Sequence, residues 1–430
     1  MNSYHIWTIG CQMNTADSER LAGALEQLGL RESPSIQEAD VIVLNSCVVR
    51  QSAEDKVVST LGLAKHVKNS NSQRIVALMG CMVGPKTHDL ERRFPFVDAF
   101  MRPQEYGPLL RLLGNRLGVD AEGCLGTLVP PKPSISAHIP VIHGCDKFCT
   151  FCIIPYRRGR EISRPIEEIV DEAEALVRRG VKEVTLLGQN VDSYGHDLPG
   201  NPDLADLLSA VNQVNGLYRI RFLTSHPNDM SPRIVHAVRE LQKVCEHINL
   251  PFQAGDDQVL ENMRRGYTSK QYRTLVKNIR DTMPGVSITT DLIIGFPGET
   301  QERFQRSLDM LLEVQFDKVH VAAYSERTGT IASRKLEDDV SKEDKKVRLR
   351  TVEEIQKVIA SQINEKYKGE RLEVLVDGRQ KGKWRGRTRS DKLVFFQDDA
   401  DLLGKLVRVK IEHTSPWSLR GALAKEPTVV

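Results

Sequence analysis

Short apolar segments alternate with helical patterns along most of the chain, and this alternation constrains its fold more than any other feature. YHIWTIG (Tyr4–Gly10), ADVIVLNS (Ala39–Ser46) and RIVALMG (Arg74–Gly80) are short and Val/Ile-rich or bounded by polar residues, as buried strands are. Between the first two, Leu21, Leu25 and Leu28 share a helical face and Gly29 supplies a stop; between the second and third, Val57, Leu61 and Ala64 repeat in the same way. From Ala137 the alternation recurs six times, with strands near HIPVIHG, VKEVTLLGQ, YRIRFLTSHP, EHINLPFQ, VSITTDLIIGF and FDKVHVAAYS. One intervening helix, PIEEIVDEAEALVRRG, carries Ile166, Ile169, Val170, Ala173 and Leu176 in a single stripe. Strands alternating with helices imply parallel sheets covered by helices. We therefore expect an N-terminal parallel α/β sandwich followed by a partial, open (β/α)6 barrel.

Parallel strands bring their C-terminal ends to one edge, where such folds bind ligands. Cys11, Cys47 and Cys81 each follow one of the first three strands, so three cysteines distant in sequence are expected to converge. They read either as unrelated buried thiols or as three ligands of one metal centre. A second trio, Cys145, Cys149 and Cys152, has the spacing C-x3-C-x2-C within HGCDKFCTFCIIPYRRGREISR (His143–Arg164). Thiolates are soft ligands that suit iron–sulfur clusters or zinc. Three of them hold three corners of a cubane and leave one iron open to a small molecule. A structural zinc knot normally needs four ligands; His143 is the nearby candidate, and no matching C-x2-C follows.

The later strands end in polar or glycine-containing signals: Gly188-Gln189-Asn190, Thr224-Ser225-His226-Pro227, Gln253-Ala254-Gly255 and Asp291–Glu299. Each alone is ordinary turn chemistry; together they fall where one barrel mouth lies. Lys147, Arg157, Arg158, Arg160, Arg164, Arg264, Arg265 and Arg327 read either as a solvated face or as phosphate contacts for RNA. Glu19 and Arg20 read as first-turn helix residues. No Ser/His/Asp arrangement or paired catalytic carboxylate competes with the cysteines for a catalytic role.

Ser341–Gly369, with Val347, Val352, Ile355, Val358, Ile359 and Ile363 at helical spacing, predicts a long bridging helix. The pattern then changes to short alternating strands: RLEVLVDG, KWRGRTRSD, KLVFFQ, KLVRVKIEHTSP and SLRGALAK. These predict a small β-barrel. Between Arg371 and Lys392 eight Lys or Arg face three acids, beside Trp384, Phe395 and Phe396. Basic residues among aromatics on such a barrel favour RNA; packing on the larger barrel is the alternative. The net charge of +3 and pI near 8.3 argue neither for nor against a nucleic-acid partner. No signal peptide or membrane span is expected, and eight cysteines in a cytoplasmic chain read as ligands or buried thiols. Cys124 and Cys245 (the latter expected at a helix end) are assigned no ligand role. The expected domains are 1–118, a linker over 119–136 containing the stiff PPKP (Pro130–Pro133), 137–368 with the bridging helix, and 369–430.

C-x3-C-x2-C with Phe151 before its last cysteine resembles the signature of radical S-adenosylmethionine (SAM) enzymes. CTFCIIPYRRGREISRP is similar to their methylthiotransferase branch, as is Cys11-Gln12-Met13-Asn14 followed by Asp17-Ser18-Glu19. The C-terminal segment is similar to the TRAM domain, an RNA-binding module. The resemblance implies a radical SAM barrel and two 4Fe–4S clusters, one on Cys145, Cys149 and Cys152 and an auxiliary one on Cys11, Cys47 and Cys81. It implies SAM contacts from Phe151, Gly188, Gln189, Asn190, Ser225, His226, Gln253 and Asp291. It further implies a transferase that adds a methylthio group to C2 of N6-isopentenyladenosine at position 37, in the tRNA anticodon stem-loop. The expected reductant is a protein such as flavodoxin or ferredoxin, and the expected state a monomer. Threonylcarbamoyladenosine in tRNA and a ribosomal-protein aspartate are alternative substrates within the branch. Pro-Lys-Asn, the usual continuation of the aspartate-modifying enzymes, is absent after Cys11. A zinc-containing RNA-binding protein is the non-enzymatic alternative.

Overall fold

The computed structural model describes residues 1–48, 51–119, 130 and 133–424. Cys124 and most of the PPKP stretch lie outside the described residues.

The first sheet is built from β1 (Ser3–Thr8), β2 (Arg31–Glu32), β3 (Val41–Ser46), β4 (Ile75–Gly80) and β5 (Ala99–Met101) in the order β2-β1-β3-β4-β5, all parallel. Every residue of β3 and β4 is buried. That is the expected state of central strands covered on both faces, and it explains their unbroken Val/Ile/Leu character. Helices α1 (Gln12–Gln27), α2 (Gln51–Ser70), α3 (His88–Arg93) and α4 (Gly107–Leu117) supply the cover. Leu21 and Leu25 enter one core layer and Val57, Leu61 and Ala64 the other. Glu19 and Arg20 lie well inside α1, not in its first turn. Arg20 donates to the buried Glu172 at 3.3 Å, a contact between the two α/β halves.

The second unit begins with β6 (Ser136–Pro140), then β7 (Ile142–His143), α5 (Ile154–Arg158), β8 (Ile162–Ser163), α6 (Ile166–Arg178) and β9 (Glu183–Leu187). It continues through α7 (Leu204–Asn212), β10 (Arg219–Leu223), α8 (Pro232–Glu240), β11 (His247–Asn249), α9 (Asp257–Asn262), α10 (Ser269–Thr282), β12 (Ser287–Ile294), α11 (Gln301–Val314), β13 (Lys318–Ala323) and α12 (Ile331–Lys335). Two parallel sheets, β10-β9-β6 and β11-β12-β13, are joined by the parallel bridge Ile220↔Val244. Six strands thus form one arc in chain order, the partial barrel that the alternation predicts. Capping residues start its helices where the loops end: Asp203, Ser231, Asp256, Thr268 and Thr300 each accept from backbone N–H groups of the first turn. Cys245 precedes β11 beside the bridge and is buried; it is not at a helix end.

Helix α13 (Lys342–Glu365) packs along β13. Val352 and Ile359 are buried against it, whereas Val347 and Val358 are 63% and 56% exposed. The apolar stripe is therefore narrower than its sequence suggests. The chain ends in a closed barrel of β14 (Arg371–Gln380), β15 (Lys383–Arg387), β16 (Leu393–Gln397), β17 (Leu406–Thr414) and β18 (Leu419–Leu423), in the order β14-β15-β16-β18-β17. Trp384 and Phe396 fill its core and are not presented for base stacking; Phe395 is half-buried. No helix among the described residues is long and apolar enough to cross a membrane.

Candidate active site between two thiol trios

Strand register brings the first trio together. Ser46 pairs with Gly80, so Cys47 and Cys81 are the next residues on adjacent parallel strands, and Cys81 N–H donates to Ser46 O at 2.9 Å. Cys11 stands three residues beyond β1, as the N-cap residue of α1. Its neighbour Gly10, at φ +132°, comes so close to Cys47 that an added Cβ would sit 2.8 Å from the Cys47 Cβ. Asn14 locks this arrangement. Its Nδ2 donates to Ile9 O and Ser46 O, both at 2.9 Å, tying the loop after β1 to the end of β3. Asn45 Nδ2 donates in turn to Asn14 O (2.7 Å) and Ser18 Oγ (2.8 Å).

The second trio lies on the loop between β7 and α5. Gly144 adopts φ +76° where a Cβ would overlap Arg160 O, and Cys145 N–H donates to Gly159 O at 3.1 Å. Thr150 holds the far side through its N–H to Met263 O (3.1 Å) and its Oγ to Asn262 O (2.8 Å). Within each trio the thiols sense one another: Cys11 and Cys47 raise the Cys81 pKa, and Cys149 and Cys152 raise that of Cys145. Burial dominates, pushing Cys81 up to about 11 and Cys145 and Cys152 up to about 12. Cys81 also acts on Cys152, so the two trios lie within electrostatic reach across the junction of the α/β units. Cys47, Cys81, Cys145 and Cys149 are buried, Cys152 is half-buried and Cys11 is exposed; mutually repelling thiols with no disulfide among the described residues are a donor set that gains from a multivalent metal centre, whose binding displaces their protons.

The barrel mouth adjoins the second trio. Gln189 Oε1, Asn190 Oδ1, His226 Nε2 and Gln253 Oε1 are buried polar atoms without a hydrogen-bond partner. Four such atoms at three successive strand ends, those of β9, β10 and β11, fit a polar ligand, since burying them without one is costly. Thr224 (φ +71°) and Gln253 (φ +64°) hold left-handed backbone there, a strain that accumulates at binding sites. Asn190 Nδ2 donates to Asp229 (2.6 Å), which also pairs with Lys147 (2.7 Å). Ser225 Oγ donates to Asp192 at 2.9 Å, and Asn249 Nδ2 lies 3.4 Å from the half-buried Asp291. Phe151 packs edge-on against Phe296. At Gly188 the space left by the missing side chain is filled by Ile142, 2.6 Å from a built Cβ, because β7 folds over this strand end. Close packing of the chain on itself accounts for that glycine.

Several residues take roles that sequence reasoning missed. Arg265 is buried and its Nη1 lies 3.2 Å from Cys149 Sγ. Arg158 is buried and donates from Nη2 to Asn14 Oδ1 (2.9 Å) and Asp17 Oδ2 (3.1 Å). Arg164 pairs with Glu172 at 2.7 Å, and Arg327, also buried, donates to Gln51 at 3.2 Å. Of the expected basic face, Arg160 and Arg264 stay open to solvent. Asp192, two residues past Asn190, is buried under Ser225 and His226, and its burial pushes the carboxyl up to about 7. Burial together with Arg265 and Lys147 pushes His226 down to about 2, so its ring is neutral.

Three family models divide the chain: an uncharacterized protein family, UPF0004, over residues 3–102, the radical SAM superfamily over 139–311, and the TRAM domain over 365–424. A tRNA-2-methylthio-N(6)-dimethylallyladenosine synthase from Roseiflexus sp. (strain RS-1) is 49% identical over 98% of this chain and 90% of its own length. One from Dehalococcoides mccartyi (strain ATCC BAA-2266 / KCTC 15142 / 195) is 48% identical over 99% of both. The chain belongs to the tRNA-2-methylthio-N(6)-dimethylallyladenosine synthase family. Among solved structures, the radical SAM methyltransferase TsrM from Kitasatospora setae, with cobalamin and a 4Fe–4S cluster bound, superposes with a TM-score of 0.57. That match covers 77% of this chain and 74% of the other, at 14% identity, a likeness of fold. For this family member, the fold-level expectation of a radical SAM barrel with a TRAM barrel behind it agrees with the architecture described above.

Proposed function

We propose that the chain is a radical SAM transferase that adds a methylthio group to C2 of N6-isopentenyladenosine at position 37, in the anticodon stem-loop of tRNA. The observation that carries this reading is the convergence of two thiol trios beside a mouth lined with unpartnered buried polar atoms. In the same proposal, Cys145, Cys149 and Cys152 hold the SAM-binding 4Fe–4S cluster, and Cys11, Cys47 and Cys81 hold the auxiliary one. When bound, these groups supply the SAM cleavage that yields a 5′-deoxyadenosyl radical and the sulfur that is transferred, chemistry that side chains lack.

The chain's own residues position and exclude. Gln189, Asn190, His226 and Gln253 offer polar atoms to the SAM amino acid and adenosine, Phe151 and Gly188 shape the wall, and Ser225 and Asp291 complete it. Neutral His226 binds without adding charge. The exposed basic edge of the C-terminal barrel at Arg379, Lys381 and Lys383 attracts the RNA backbone. The working division 1–118, 119–136, 137–368 and 369–430, a monomer in the cytoplasm, and a reductant such as flavodoxin or ferredoxin belong to the same reading.

The test is nucleoside mass spectrometry of tRNA from a deletion strain complemented with variants. Wild type restores 2-methylthio-N6-isopentenyladenosine. Cys149→Ser abolishes SAM cleavage and product, and Cys47→Ser retains some SAM cleavage without product. If both variants methylthiolate normally, the assignment is wrong. If the missing nucleoside instead carries a threonylcarbamoyl group, the substrate is wrong.

A further inference from the structure

Arg158 is the last residue of α5, close after the C-x3-C-x2-C loop, yet its side chain crosses to the N-terminal unit. There it is 2% exposed. One terminal nitrogen, Nη2, is held by Asn14, which ties the Cys11 and Cys47 loops together, and by Asp17 one turn further along α1. The other, Nη1, is buried with no hydrogen-bond partner. The Asn14 Oδ1 that accepts from Nη2 also faces Cys11 Sγ at 3.7 Å, so the guanidinium and the first of the three thiols meet at one amide oxygen. A charged donor with spare capacity is thus presented to the first trio from the unit that carries the second.

We propose that Arg158 is a positioning residue that sets the reduction potential of the auxiliary cluster, an inference that rests on Cys11, Cys47 and Cys81 holding that cluster. A four-iron centre with three thiolates is anionic, and each added electron makes it more so. A buried positive charge with hydrogen bonds to its sulfurs favours the reduced form. Arg158 supplies that charge, and because it sits on the chain segment that bears the other trio, docking of the two units and tuning of the cluster are one event.

The experiment uses the full chain with Cys145, Cys149 and Cys152 changed to Ala, so that the auxiliary centre alone reports. Iron content and an EPR-monitored redox titration are measured after anaerobic reconstitution. Arg158→Gln is expected to bind iron and to titrate at a more negative potential than the background chain, with Arg158→Lys between them. Asp17→Asn/Arg158→Gln, which leaves no orphaned carboxylate, keeps the fold and still titrates below the background. Equal potentials in all four chains overturn the role of Arg158. A background chain that binds no iron overturns the auxiliary-site reading itself, before any Arg158 variant is considered.

Discussion

At the scale of single residues, Asn14 and Asp192 show how much of the site depends on buried polar groups. Asn14 donates two hydrogen bonds and accepts one from Arg158 while wholly buried. Asn14→Ala removes the side-chain donor to Ile9 O and one of the two donors to Ser46 O, and is expected to cost about 1–3 kcal/mol. Denaturant unfolding reads that loss, with weakened iron retention at the first trio as its companion. Asp192 behaves differently because its carboxyl is raised to about 7 in the folded chain. The folded state then keeps a proton that the unfolded state releases near pH 4. Its stability falls as pH rises through that window, by up to roughly 4 kcal/mol. Asp192→Asn removes this contribution, so the variant's stability is expected to fall less steeply than wild type between pH 4.5 and 7; parallel curves would contradict it. Neither role is visible in sequence. Arg158 and Arg265 belong to basic runs that look alike whether solvated or buried, and the Asp17 partner of Arg158 lies 141 residues away.

At the scale of elements, the strands were readable because Val- and Ile-rich runs mark buried strands, and the cysteines because they follow those strands. The two-residue strands β2 and β8 are too short to show a period, and HIPVIHG, read as one strand, divides into β6 and β7. The small barrel shows a sharper limit. Its strand pattern was plain, but the functions of its basic residues divide by contacts that no pattern reveals. Arg389 grips Glu246 (2.6 and 2.8 Å) and the carbonyls of Gln242 and Val244, and Lys392 pairs with Asp317 at 2.6 Å. Arg219 and Arg221 reach back from β10 to the carbonyls of Arg387 and Thr388. These residues fasten the small barrel to the large one. Arg389→Ala is expected to destabilise the chain by about 1–3 kcal/mol. Lys381→Ala/Lys383→Ala, on an exposed turn, should leave stability unchanged and lower the salt slope of tRNA binding by about one per lysine. Thermal melts and binding titrations over a salt series separate the two; a melting loss from the lysine pair would show that they, too, are structural.

At the scale of the whole molecule, two α/β units are held edge to edge by buried charge: Arg158 with Asp17, and Glu172 clamped by Arg20 and Arg164. This seam brings one trio within reach of the other, and a rigid seam is what transfer between two centres requires. The most direct measurement is iron content with Mössbauer spectra on three full-length chains: wild type, Cys11→Ala/Cys47→Ala/Cys81→Ala, and Cys145→Ala/Cys149→Ala/Cys152→Ala. Wild type should hold about eight irons as two four-iron clusters and each triple variant about four. A triple variant that keeps the full complement, or stoichiometric zinc in place of iron, would contradict the two-site account.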